Sequence, residues 1–172
     1  MSTEVLVGVI GLCGALVGAA AAFVGVVYQQ KQQVKLAQAE RRDALAQLAV
    51  DTIMTELEEL RRLVWSVSGD AEEPPEFRPQ LVRHIDVIRL GVLRLPHQEL
   101  REAMEAACMM EFGRVDQFQE HIGLRLPRIV ATAMCWDAQK CLGAYLRREP
   151  LPETTFLFKA RDYFHSVISQ RR

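Results

Sequence analysis

The stretch that decides the fold is Val50–Val67, "VDTIMTELEELRRLVWSV". Val50, Ile53, Leu57, Leu60, Val64 and Val67 recur at intervals of three, four, three, four and three. That is the period of one face of an α-helix, so this segment must bury a stripe against something. Met54, Leu63 and Trp65 widen the stripe beyond the narrow a/d seam of a two-stranded coiled coil. The wider face predicts packing within a bundle formed by the chain itself.

Toward the N-terminus, no Gly or Pro occurs from Val26 to Ser68, and the run is rich in good helix formers. The helix is therefore expected to continue back through "QQKQQVKLAQAERRD", residues 29–43, which is too polar for a core and reads as a solvated stalk spanning 29–44. Before it lies "VLVGVIGLCGALVGAAAAFVGVVY", Val5–Tyr28, twenty-four residues without a charge. At about 1.5 Å per residue this is long enough to cross a hydrocarbon core of about 30 Å with some tilt. It lacks the basic n-region, short apolar core and cleavage site of a secretory signal. Cys13 follows Leu12 and precedes fifteen more apolar residues, so lipidation is disfavoured and Cys13 reads as a membrane-buried side chain. Residues 1–28 are thus expected to form a retained transmembrane anchor.

Charge asymmetry orients that anchor. No Lys or Arg precedes the span, whereas Lys31, Lys35, Arg41 and Arg42 follow it, which places the N-terminus outside and the C-terminal domain in the cytoplasm. The same four cations are candidate contacts for anionic lipid headgroups. Cys108, Cys135 and Cys141 show no disulfide-framework spacing, as expected of a reducing compartment. Within the span, Gly11, Gly14, Gly18, Ala21 and Gly25 share one seam, and Gly14 and Gly18 also satisfy the GxxxG pattern. Small residues let helix backbones approach closely in lipid, so the seam is a candidate interface for homo-oligomerisation.

Toward the C-terminus, "SGDAEEPPEFRP" predicts an acidic flexible loop over 68–78 and the first chain reversal. Beyond it, Leu81, Ile85, Ile88, Val92 and Leu95 mark a helix, although the second half of that segment also alternates like a strand. Leu95-Pro96, Leu126-Pro127 and Leu151-Pro152 each announce a further helix, with Pro at or near its first position. "HQELREAMEAACMMEFGRVDQF" carries the stripe Leu100, Met104, Ala107 and Cys108. "RIVATAMCWDAQKCLGAYLRR" follows, and "ETTFLFKARDYFHSVISQ" carries Phe156, Ala160, Tyr163 and Val167. The expected fold is all-α: an N-terminal transmembrane helix continuing into a long cytoplasmic helix that packs, over 45–172, in a four- to five-helix bundle.

Chemistry is sparse. There is no CxxC, HxxxH or HExxH, and His84, His97, His121 and His165 are scattered, which disfavours a metal. No Glu stands three residues before a histidine, as a di-iron bundle requires. Glu99, Glu102, Glu105 and Glu111 read as a solvated face. Asp162 and His165 share a helical face but read as a surface or packing feature rather than an acid–base pair. No phosphate-binding loop or nucleophile elbow occurs, so neither a cofactor nor a catalytic residue is assigned. A net charge of −1 offers no excess for binding nucleic acid.

With its Gly/Ala-rich span, its "AERRDALAQL" and its "VIRLGVLRLPHQELREAMEA", the chain resembles a set of uncharacterised single-pass membrane proteins of actinobacteria. The resemblance implies a bacterial inner-membrane protein with a cytoplasmic helical domain, and it carries over no site residues. "CMMEFGRVDQFQEHIGLRLPRIV" departs from that pattern. The function expected is that of a non-enzymatic, membrane-anchored interaction or scaffold protein with a cytoplasmic protein partner. The alternative is a membrane-perturbing effector, holin-like or defence-related, that assembles through the glycine-rich span, although a span with no polar stripe is poorly suited to line an aqueous pore.

Overall fold

The absence of helix breakers between Val26 and Ser68 has its direct consequence in α1, one helix running Thr3–Ser66. It is followed by α2 (Phe77–Val92), α3 (Gln98–Met109), α4 (Asp116–Ile122), α5 (Pro127–Arg147) and α6 (Phe156–Gln170). The computed structural model describes residues 3–67, 73–123, 126–152 and 155–170, with the side chains at 3–17, 19–22, 24, 27, 168 and 170 outside the description. Among the described residues there is no strand, so the fold is all-α. Cys13 and, of the small-residue seam, Gly11, Gly14 and Ala21 have side chains outside the described ones, as does most of Val5–Tyr28. Among the described residues no helix is long and apolar enough to cross a membrane.

The chain divides into two compact units, Met1–Ala44 and Leu45–Arg172. In the first, every side chain from Tyr28 to Ala44 along α1 is exposed, including Lys31, Lys35, Arg41 and Arg42. The second holds the core. Val50, Ile53, Leu57, Leu60 and Val64 are all buried, as their spacing predicts, and packing begins a turn earlier at Ala46 and Ala49. Trp65 departs from the expectation. It is 52% exposed, because the stripe turns away from it at the end of the helix.

On α2 the buried set is Phe77, Leu81, Ile85, Ile88, Gly91 and Val92, which settles the helix–strand ambiguity in favour of helix. Gly91 lets α2 lie close to α1, since a Cβ there would stand 2.7 Å from Ile53 Cγ1. The two helices are also joined where His84 Nδ1 meets Glu56 Oε2 at 2.6 Å. The segment expected to be loop through residue 78 is shorter than that. Phe77 is a core residue under the Arg114 guanidinium, 4.7 Å from its ring, and Glu73 is ion-paired with the same arginine.

A single helix was expected over "HQELREAMEAACMMEFGRVDQF", but the structure divides it. Helix α3 stops at Met109, and Glu111, Phe112 and Gly113 follow with φ of 47°, 51° and 84°, a left-handed turn before α4. Two contacts stabilise a backbone that L-residues rarely adopt. Phe112 is fully buried, and Glu111, still partly exposed, receives both arms of Arg78 at 2.7 and 2.8 Å. Gly113 is required twice over, by its φ and because a Cβ would come within 2.4 Å of Val130 Cγ1 on α5.

Of the three prolines expected to lead helices, only Pro127 occupies the first turn. Helix α3 is capped by His97, whose Nδ1 accepts from the Leu100 N–H at 3.3 Å. Helix α6 starts at Phe156, four residues past Pro152, where two side chains satisfy its first N–H groups. Thr155 Oγ1 accepts from the Phe158 N–H, and Asp137 Oδ2 of α5 accepts from the Phe156 N–H at 2.7 Å. Its buried face is also rotated from the expected stripe, since Leu157, Phe158 and Ala160 are buried whereas Phe156, Tyr163 and Val167 are half-buried. Helix α5 ends in a Schellman motif with Arg148 left-handed at φ 57°: the Arg148 N–H reaches the Tyr145 carbonyl and the Glu149 N–H that of Ala144.

Candidate interaction surface

Helix α5 is divided lengthwise. Val130, Ala131, Met134, Cys135, Ala138, Cys141 and Leu142 fill the inner arc. At 100° per residue, Ile129, Ala133, Trp136 and Lys140 fall on the opposite side. An outward face normally carries charged and polar residues, yet Ile129 is 49% and Trp136 52% exposed.

Trp65, at the end of α1, joins this face. Its indole Nε1 donates to Thr132 Oγ1 at 2.8 Å, and that hydroxyl donates to the Arg128 carbonyl. The Arg128 guanidinium lies 4.8 Å from the Trp65 ring centroid, a cation–π contact. Trp136 is one helical turn beyond Thr132, so both tryptophans of the chain lie on a single surface. Aromatic rings held in place at a surface are the residues most often found as energetic anchors of interfaces.

Beside Trp136 a groove opens between α5 and α6, lined by Ala133, Trp136, Asp137, Lys140, Thr155, Phe156 and Lys159. Its volume of ≈ 270 Å³ stands at the lower edge of the roughly 300 to 1,000 Å³ usual for small-molecule sites. It suits a side chain or two of a partner better than a cofactor. Asp137 is committed to capping α6, while the Lys159 ammonium lies over the Phe156 ring at 5.2 Å.

Several other titratable residues are engaged in structure. A second groove gathers His97, Glu99, Arg161 and Asp162, but Arg161 is shared between Glu99 at 3.0 Å and Asp162 at 2.9 Å and stacks on Phe158. Asp162 is therefore held by its neighbour. His165 is exposed beside Phe164, and the groove that Asp162 lines takes its imidazole from His97. His121 packs on the Tyr163 ring at 4.8 Å. Among the described residues no cluster of three metal-ligating side chains occurs. Burial pushes the thiols of Cys108 and Cys135 up to about 12 and that of Cys141 up to about 11, so all three are free but poor nucleophiles.

The sequence contained this surface in disguise. Trp65 sits one residue past Val64 and reads as core; Trp136 sits among apolar neighbours. Only the rotation of α5 about its own axis, fixed by which of its sides meets the bundle, separates Trp136 from Cys135. Comparison with protein-family models, curated protein sequences and solved structures finds no match for this chain.

Proposed function

We propose that the chain is a membrane-anchored, non-enzymatic interaction protein of the bacterial inner membrane, whose bundle docks a cytoplasmic protein partner on the outward face of α5. The observation that carries the reading is the exposure of Trp65 and Trp136 on one surface of an otherwise well-filled bundle. Trp65 ties α1 to α5 through Thr132 and Arg128, whereas the half-exposed Trp136 ring adds little to the monomer's own core and is placed to anchor an interface.

The anchor is read from the uncharged run Val5–Tyr28, which is long enough to span, and the cytoplasmic orientation from the exposed Lys31, Lys35, Arg41 and Arg42 that follow it. The resemblance to actinobacterial single-pass proteins agrees with both. At Gly18 and Gly25 an added Cβ would have nothing within 4 Å, which leaves the seam open to a second span.

Purification of the full chain in detergent with its native neighbours tests the proposal. A partner should co-purify with the wild type and be lost from a folded Trp136→Ala variant. A protein that purifies alone, or a partner indifferent to Trp136, overturns the docking reading. A C-terminal reporter active only outside the cytoplasm overturns the orientation. Collapse of membrane potential on induction would replace the scaffold with a membrane-perturbing effector.

A further inference from the structure

We infer that the segment docked on α5 is an acidic peptide of a partner protein, with an apolar side chain seated in the groove and carboxylates on Lys140 and Lys159. The inference rests on the proposed use of this face and adds the chemistry of its occupant. Ala133, Trp136 and Phe156 give the groove an apolar lining, and Lys140 and Lys159 bring two ammonium groups to it. Asp137 is the one carboxylate in the lining, and it is already spent: it accepts the Phe156 N–H and stands 3.8 Å from Lys140. Lys140 is itself 63% exposed, and Arg128 adds a third cation to the same surface. Asp137 is the single carboxylate of the lining against the two ammonium groups of Lys140 and Lys159, so a partner that buries this face without bringing negative charge desolvates an excess of cations.

That requirement disfavours a second copy. An isologous contact through α5 would set Lys140, Lys159 and Arg128 of one protomer near those of its mate. The groove volume, at the lower edge for small-molecule sites, disfavours a free small molecule, and its apolar lining disfavours a simple anion. An acidic segment bearing a leucine or phenylalanine meets all three conditions, and the Trp65 ring, already fixed by Thr132 and Arg128, offers a second apolar contact without further ordering cost.

The probe is a fluorescently labelled synthetic peptide carrying one leucine and one phenylalanine among six glutamates, titrated into the detergent-solubilised full chain and followed by anisotropy. It should bind saturably and more weakly as salt rises. Replacing its glutamates by glutamines, or the protein's lysines in a Lys140→Glu/Lys159→Glu variant, should each weaken binding by about tenfold or more. The milder Lys140→Gln/Lys159→Gln pair, which leaves the Asp137 cap intact, should weaken it in the same direction. Equal binding of the glutamine peptide, or indifference to both lysine variants, overturns the inference. So does absence of binding by the acidic peptide while Trp136→Ala still strips a native partner, an outcome that leaves the docking face standing and removes only its proposed chemistry. A dimer dissolved by Trp136→Ala, or Trp136 fluorescence that responds to anionic rather than zwitterionic nanodiscs and not to peptide, assigns the face to a second copy or to lipid and equally overturns it.

Discussion

The two halves of α1 share a helix but not a fate. From Tyr28 to Leu45 every side chain is exposed; from Ala46 to Val64 one side chain in every turn is buried. Helix propensity is high in both, so propensity explains why α1 continues and says nothing of what it packs against. Leu36 and Val34 are as apolar as Leu57 and Val50, yet remain 63% and 55% exposed; no large apolar residue stands three or four positions from either of them. A leucine on a helix is buried when it belongs to an apolar stripe long enough to pack on other helices, as Leu57 does, and not merely because it is a leucine.

The sharpest way to break this comparison is a pair of truncations. Leu57→Ala should destabilise the bundle by about 3 kcal/mol, the range for a fully buried leucine, whereas Leu36→Ala should change the urea midpoint by less than about 0.5 kcal/mol equivalent. Equal effects would mean that the stalk is as packed as the bundle.

Next in size is Gly113→Ala. The packed half of α1 needs α5 seated against it, and the left-handed turn seats α5. Both the positive φ and the 2.4 Å approach to Val130 act against a methyl group, and a loss of about 2 to 3 kcal/mol is expected in thermal unfolding. Gly123→Ala is the control: its φ of +72° is equally left-handed, but nothing lies within 4 Å of the added Cβ, so a loss nearer about 1 kcal/mol is expected.

The buried thiols probe the same core by pH. The folded values of Cys108 and Cys135 are raised from 9.0 to about 12, so the folded state holds protons that the unfolded chain gives up. Stability from this source is complete below pH 9 and falls as pH rises toward 12. The denaturant midpoint should therefore decline above pH 9, and the decline should lessen in Cys108→Ala/Cys135→Ala. A thiol-specific disulfide reagent should label Cys108, Cys135 and Cys141 at neutral pH only after unfolding.

The smallest effect on stability is expected where the effect on binding is largest. Trp136→Ala removes a half-exposed ring and should cost less than about 1 kcal/mol of folding stability, measured by urea titration, while abolishing partner capture. If Val5–Tyr28 is the proposed anchor and its small-residue seam self-associates, Gly18→Leu should weaken that association and Leu16→Ile, about 200° around the helix, should not; equal loss in both removes the case for a specific seam.

Much of the fold was legible because amphipathic periodicity is a local property. The stripes on α1, α2 and α3 were readable as buried faces, and the first proline-led start of α5 as a boundary. The left-handed turn was not legible, because its cause is distant: Arg78 from α2 and Val130 from α5 decide that residues 111–113 leave the helix. Gly113 was the one local signal of it. The rotation of α6 was missed for a similar reason, since Phe156, Leu157 and Phe158 form an unbroken apolar run in which only the cap from Asp137 chooses the register. Of the candidate surface, the residues were visible and their exposure was not.

From the amino-acid order alone came the all-α class, the positions of the apolar helix faces, and the uncharged run Val5–Tyr28 ahead of the polar stretch 29–44. These follow from backbone propensity and spacing, which need no partner to act. The tertiary structure decided which side of α5 turns outward, that both tryptophans meet there, and that the chain reverses hand at Glu111–Gly113. Those outcomes depend on which helices compete for the same apolar volume, and that competition is settled only when all of them are packed together.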